Sequence, residues 1–260
     1  MADKKLVKIS KPIWDGPFQT WEDACSAARN HDLSAPAFTN ERWLQRITKQ
    51  LVDYRTEFRQ FEIAQPPRPC NLPLVCAMTS PNTIIDFGGS SGWCWDYLQN
   101  CLPRHEISSY AIVEQESVVK HMQCSGLHGD NVNYQTLDDP LAQCDLLYSN
   151  SVLQYFESNA PLLSLIKRVT PIYIFLEDTY AKGVADFFGT QSNYDSDIPC
   201  RFIGLENLLK DLASMGYREI IKSPYSSPIL GAMKPLPMEN FPEKFQFRYS
   251  LSILLKRGQD

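Results

Sequence analysis

Thr83-Ile84-Ile85-Asp86-Phe87-Gly88-Gly89-Ser90-Ser91-Gly92 is a short apolar run that ends in an acid and opens into a glycine-rich turn. A strand covered on both faces reads as such a run of branched and aromatic residues. Glycines where a strand gives way to a helix let the backbone turn tightly and bring its N–H groups close to a ligand. The dinucleotide fingerprint G-x-G-x-x-G is not met, because the third glycine falls two residues after Ser90 and gives D-x-G-x-S-x-G. An acid two residues before the first glycine is also unlike most nicotinamide sites, which are apolar there.

Downstream, strand-like and helix-like stretches alternate. Tyr110-Ala111-Ile112-Val113-Glu114 predicts a second strand, with a helix through Val118, Val119 and Met122. A weaker third strand is expected over Val132–Leu137, and Asp145-Leu146-Leu147-Tyr148-Ser149 predicts a fourth. Leu162, Leu163, Leu165 and Ile166 follow at helical spacing, then Ile172–Glu177 as a fifth strand and Leu205–Met215 as a helix stopped by Gly216. Buried strands separated by helices indicate a parallel sheet with crossovers. Arg218–Lys222 and Phe245–Leu255 have no helix between them and predict an antiparallel pair at the sheet edge. Their connection carries Pro224, Pro228, Pro235, Pro237 and Pro242, a composition suited to a lid or substrate wall.

Upstream, Trp43, Ile47, Leu51, Tyr54, Phe58 and Phe61 recur at three and four residues and predict an amphipathic helix. Gln65-Pro66-Pro67-Arg68-Pro69 stops it and reads as a linker. The expected organisation is a helical cap and linker over residues 1–70 and an α/β domain over 71–260. Trp14, Phe18 and Trp21 precede the cap helix, either as a hydrophobic plug or as cover for a ligand.

The 260 residues carry a net charge of −5, and no Lys/Arg run exceeds two, which argues against a nucleic-acid partner. No apolar stretch reaches the ~18 residues that a membrane helix needs, and Met1-Ala2-Asp3-Lys4-Lys5 is not an apolar signal core. A soluble, cytoplasmic protein is expected. The eight cysteines show no C-x-x-C, and Cys124 with His128 is only half a metal site, so reduced thiols and no metal are expected. His31, His105, His121 and His128 stand in no catalytic motif.

An acid ending the first strand before a glycine turn resembles the class I S-adenosylmethionine-dependent methyltransferases. Further blocks, Ile13-Trp14-Asp15-Gly16-Pro17-Phe18, Val113-Glu114-Gln115, Ser151-Val152-Leu153-Gln154-Tyr155 and Ile198-Pro199-Cys200-Arg201-Phe202, are similar to a methyltransferase family encoded among surface-polysaccharide (O-antigen and capsule) genes. The resemblance implies a Rossmann-like fold with a seven-stranded, mainly parallel sheet, an antiparallel edge hairpin and an N-terminal helical cap. It also implies S-adenosylmethionine as cofactor and a small polar acceptor, a hydroxyl or amine of a sugar, nucleotide sugar or glycan precursor.

By that resemblance the cofactor is expected at Asp86, Gly88, Gly89, Ser90 and Gly92, with Glu114 on the ribose hydroxyls. Gln115, Leu137, Ser149 and Asn150 complete the cofactor set, and Trp14, Asp15 and Gln154 are candidate acceptor contacts. Glu177, Asp178 and Tyr155 are the candidates for catalysis, Glu177 as base. Glu177-Asp178-Thr179 stands where the family tends to have Asp-Arg-Thr, so an acid replaces a base at 178. Two rival readings are a non-catalytic scaffold that binds the same cofactor and a nicotinamide-dependent oxidoreductase.

Overall fold

The computed structural model describes residues 12–29, 38, 40–193, 196–226, 228–229, 232–233 and 235–258. The chain opens with β1 (Trp14–Phe18), α1 (Trp21–Arg29), α2 (Glu41–Phe61) and α3 (Leu72–Thr79). An alternating stretch follows: β2 (Thr83–Phe87), α4 (Trp93–Cys101), β3 (Ser109–Val113), α5 (Glu116–Ser125), β4 (Asn133–Gln135), β5 (Leu146–Asn150), α6 (Ala160–Val169) and β6 (Tyr173–Thr179). Then come β7 (Ala181–Lys182), β8 (Phe187–Asn193), β9 (Ser196–Gly204), α7 (Leu205–Ser214), β10 (Tyr217–Tyr225), β11 (Pro228–Ile229), β12 (Ala232–Met233) and β13 (Ser250–Arg257).

Seven strands form the main sheet in the order β10-β13-β6-β5-β2-β3-β4. All run parallel except β13, which pairs antiparallel with both β6 and β10. Neighbouring strand residues point to opposite faces, and the core divides accordingly. Ile84, Ile112 and Leu146 join Leu51, Leu72 and Leu98 on one face, while Ile85, Val113 and Leu147 join Leu162, Leu165 and Leu208 on the other. Asn40 caps α2, its side chain accepting from the Trp43 N–H at 2.8 Å. Ile47, Leu51 and Tyr54 of the predicted stripe are buried, and Phe61 at the helix end is exposed.

Three expectations need adjustment. The third strand covers only Asn133–Gln135, so Leu137 lies beyond its end, half-buried against the α6 and α7 side of the sheet. The last strand starts at Ser250 rather than Phe245, because Glu243–Phe245 forms a short helical turn. Of the cap expected over residues 1–70, the described Ile47 and Leu51 share the sheet's core, and β1 pairs with β8 far along the chain.

That pairing belongs to a second sheet, β1-β8-β9-β7, which the sequence reading did not foresee. Beneath it Trp14, Tyr180, Phe187, Phe202, Met238 and Phe241 form an aromatic core, with Trp14 edge-on to Tyr180 at 5.4 Å between centroids. Met238, Phe241, Phe245 and Phe247 draw the proline-rich connection into this core, so its described part is packed structure.

Arg201 of β9 fastens this sheet to the main one. It is 1% exposed and donates to Asp186 Oδ2 at 3.1 Å and to Asn159 Oδ1, ahead of α6, at 2.8 Å. Removing one partner of such a pair strands a buried charge. Asp186→Ala is therefore expected to lower stability by about 3–5 kcal/mol in urea unfolding. Arg201→Met, which removes the charge itself, should cost less.

Candidate functional site

In an open α/β sheet a ligand site forms at the carboxyl ends of the strands, where the strand order reverses. Here that point lies between β2 and β5, because β3 and β4 extend from one side of β2 and β5 and β6 from the other. Six parallel strands with one reversed strand beside the edge, in this order, make a Rossmann-like α/β fold.

The glycine turn leaves β2 at this point. Gly88 (φ 78°) and Gly92 (φ 74°) have left-handed backbones, and a Cβ on Gly92 would lie 2.8–2.9 Å from Ile112 Cδ1, Tyr134 Oη and His128 Nε2. Gly92 also caps α4, and Ser90 between the glycines has φ 54°. Asp86, 1% exposed, accepts from the Tyr110 hydroxyl at 2.7 Å. Burial pushes its carboxyl up to about 7, against the Tyr110 hydrogen bond and assisted by the charge of Glu114.

Glu114 follows β3 and reaches the turn. Its Oε1 accepts from the Ser90 N–H at 3.2 Å and its Oε2 from the Gln115 N–H at 3.0 Å. Burial raises its pKa, opposed by these two backbone donors. A carboxylate offers roughly four acceptor positions, so two remain for a ligand. Gln115 precedes α5 without a side-chain capping bond, and its amide donates to the Phe38 carbonyl at 2.9 Å.

A histidine absent from the sequence-derived set supports the turn. His128 Nε2 meets the Ser91 carbonyl at 2.8 Å and its Nδ1 meets the Arg55 guanidinium at 3.1 Å. A carbonyl needs a donor and a guanidinium an acceptor, which assigns the neutral Nε2–H tautomer. Arg55 is held in turn by Asp96 at 2.9 and 3.0 Å. His105 and His121 have partners in Pro81 and Thr48, and His31 lies outside the described residues.

At the end of β5, the buried Ser149 donates to the Phe87 carbonyl at 3.0 Å. Asn150 donates to Tyr148 Oη at 3.0 Å and Glu177 Oε2 at 3.1 Å, leaving its own buried Oδ1 without a partner among the described residues. Gln154 is buried and donates to Ser151 Oγ at 2.9 Å, its Oε1 likewise unpaired. Tyr155 Oη donates to Gln191 Oε1 at 3.4 Å, and its ring lies 4.7 Å from that of Phe38. Burial raises the Tyr155 pKa above its ordinary value.

Glu177 is not placed as a free base. Its Oε1 accepts from the Asn71 N–H at 2.9 Å and amide at 2.6 Å, and its Oε2 from Tyr148 Oη at 2.8 Å and Asn150 at 3.1 Å. Four donors fill the carboxylate. Asp178 beside it has φ 49°, is buried, and accepts from Ser250 Oγ at 2.6 Å through Oδ1. Of the two readings of Trp14, plug or cover, the packing matches the plug. The Trp14 ring is 2% exposed in the aromatic core with Nε1 on Gln191 at 3.3 Å, and exposed Asp15 accepts from the next residue's N–H.

Asn71 and Arg55 were missed because their partners, Glu177 and Asp96, are distant in sequence. Leu72-Pro73 does mark a helix start, yet the Asn71 amide turns to Glu177 rather than capping α3. None of the eight cysteines is in a disulfide, and among the described residues no group of three His, Cys, Asp or Glu could hold a metal. No described helix is long and apolar enough to cross a membrane.

No family model and no curated protein matches this chain. Among solved structures it is similar to an S-adenosylmethionine-dependent methyltransferase from Mesorhizobium loti, at 16% identity and TM-score 0.48, covering 72% of this chain and 97% of that one. It is also similar to human N-acetylserotonin methyltransferase in complex with SAM, at 14% identity and TM-score 0.48, covering 92% and 66%. A further likeness is to a bacterial Hen1 methyltransferase domain, at 10% identity and TM-score 0.46, covering 73% and 96%. At such identities and scores the activity of those proteins does not transfer to this chain.

Two outcomes follow from this geometry. Glu177→Gln turns an amide N–H toward protein donors, so a loss of about 1–3 kcal/mol in chemical unfolding is expected. Burial chiefly holds the His128 pKa below its ordinary value, with the Arg55 charge adding to this. The stability that neutral His128 contributes is present above pH ~6.5 and is lost as pH falls through the lowered folded value. The stability gap between wild type and His128→Gln should narrow from pH 7.5 to pH 5, as thermal unfolding will show.

Proposed function

We propose that this protein is an S-adenosylmethionine-dependent methyltransferase acting on a small polar acceptor. The observation that carries this reading is Glu114, whose carboxylate lies against the Ser90 N–H of the glycine turn with two acceptor positions unspent. The cofactor fits the residues present. A Cβ on Gly88 or Gly89 would strike Val152 or Asp86, so only glycine fits the turn that sets the Ser90 N–H against Glu114. Asp86, Glu114 and the unpaired Asn150 Oδ1 make the surroundings rich in acceptors. That set suits a cationic ligand bearing hydroxyls and an ammonium, and disfavours the pyrophosphate of a dinucleotide.

When bound, the cofactor supplies an electrophilic methyl group. The chain's part is then to align the acceptor and exclude water. Glu114 and the turn from Gly88 to Gly92 would hold the cofactor, with Gln115, Ser149, Asn150 and the Leu137 segment completing the walls. Asp178 and Tyr155 are the candidates for handling an acceptor proton, Asp178 through the carboxylate oxygen that Ser250 does not engage. Gln154 and Ser151 would bound the acceptor side. A sugar or sugar-linked metabolite of surface-polysaccharide synthesis remains the acceptor that the sequence resemblance favours.

Glu114→Ala tests the assignment. Hydrogen bonds to a charged group contribute ~1.5–3 kcal/mol, so affinity for S-adenosylhomocysteine should fall roughly ten- to a hundredfold. Calorimetry on the folded variant measures this, and unchanged affinity would sink the ribose role. Tighter binding of NAD than of S-adenosylhomocysteine by wild type would favour the oxidoreductase reading instead.

A further inference from the structure

Phe38 touches both flanks of the crevice at which the glycine turn leaves the sheet. Its carbonyl accepts from the Gln115 amide at 2.9 Å, and its ring lies edge-on to that of Tyr155 with 4.7 Å between centroids. Gln115 stands beside Glu114 beyond the end of β3, and Tyr155 belongs to the short helical turn Leu153–Tyr155 beyond the end of β5. In the sheet β2 runs between β3 and β5. A residue joined to both flanks therefore bridges the turn that β2 delivers.

The support behind Phe38 is firm. Its ring also meets that of Trp43 edge-on at 5.1 Å, in the first turn of α2, where Asn40 holds the Trp43 N–H at 2.8 Å. Trp43 packs against the core that buries Ile47 and Leu51. Thr48 bonds His121 of α5 at 2.8 Å, and Arg55 bonds Asp96 of α4 at 2.9 Å, so α2 is tied to two helices of the sheet's flank. On the other side Tyr155 is held by Gln191 of the second sheet.

The contacts that Phe38 makes across the crevice are weaker than this support. They are one neutral hydrogen bond on the solvent side and one edge-on ring pair. Phe38 itself is half-buried, unlike the core leucines of α2. A bridge so built is closed in the structure and opens by thermal motion without disturbing α2.

We propose that Phe38 is a positioning residue of the ligand site, which by joining Gln115 to Tyr155 closes the crevice at the glycine turn and retains the S-adenosyl ligand held there. This rests on the methyltransferase reading of the crevice. Phe38 takes no part in the bond changes. Its effect is on exchange, because a ligand on the turn leaves when the bridge opens, and on water, which the closed bridge keeps from the space between Glu114 and Tyr155.

The test uses the full chain loaded with radiolabelled S-adenosylhomocysteine and chased with excess unlabelled ligand. Calorimetric affinity then gives the association rate from the measured dissociation rate. Phe38→Ala should speed dissociation at least about threefold, the order expected for loss of an aromatic pair, without slowing association. A residue that only supported the fold would damage the site and slow association as well. Phe38→Tyr keeps the ring and should keep the wild-type dissociation rate within about twofold. Should Phe38→Ala fail to fold by circular dichroism, Phe38→Leu, which also lacks the ring edge, is read at the same threshold. A smaller rise in the folded variant, slower association, or a Phe38→Tyr variant as fast as Phe38→Ala overturns the proposal. Failure of wild type to bind S-adenosylhomocysteine removes the methyltransferase reading and the proposal with it, whereas binding with unchanged exchange in the variant removes the proposal alone.

Discussion

The carboxylate of Glu177 is the tie on which the rim depends. It is 1% exposed and takes four hydrogen bonds, two from Asn71 ahead of α3 and one each from Tyr148 and Asn150 of β5. Burying a carboxylate is costly unless donors surround it, so the chain can bury Glu177 only by bringing these segments together. The consequence is geometric. The stretch that leaves α2 cannot swing free; it must cross the ends of β5 and β6.

Acid charge gathers at one part of that rim. Asp86 and Glu114 stand at the ends of β2 and β3, and burial, with a smaller push from Glu114, raises the Asp86 carboxyl to about 7. A cationic ligand is favoured there over an anionic one.

Most of the main sheet was legible because local signals carry it. Thr83–Phe87, Ser109–Val113, Leu146–Asn150 and Tyr173–Thr179 are apolar runs bounded by turn residues, and Glu114 follows Val113 as the spacing requires. The second sheet was not legible. Phe187–Asn193 mixes aromatic, glycine and polar residues without alternation, and its partner β1 lies over 150 residues earlier in the chain. Trp14 shows the difference: its sequence block was readable, but whether its ring covered a ligand or filled a core depended on Tyr180 and Phe202. Glu177 is alike: the hydrogen bonds from Asn71, Tyr148 and Asn150 that occupy its oxygens come from segments distant in sequence.

The second sheet braces the turn that follows β5. β9 lies against the turn Leu153–Tyr155, and Gln191 of β8 accepts from both Tyr155 Oη and Trp14 Nε1. Tyr155 is thus fixed from behind by a residue of the second sheet, while its ring meets Phe38 from the helical side. Position 178 is where the resembling methyltransferases tend to carry a base and this chain carries an acid. With Tyr155 braced by Gln191 and Asp178 by Ser250, both candidate groups are held before any acceptor arrives. Little ordering of these side chains would then oppose binding, which is the condition under which a few polar contacts can select an acceptor.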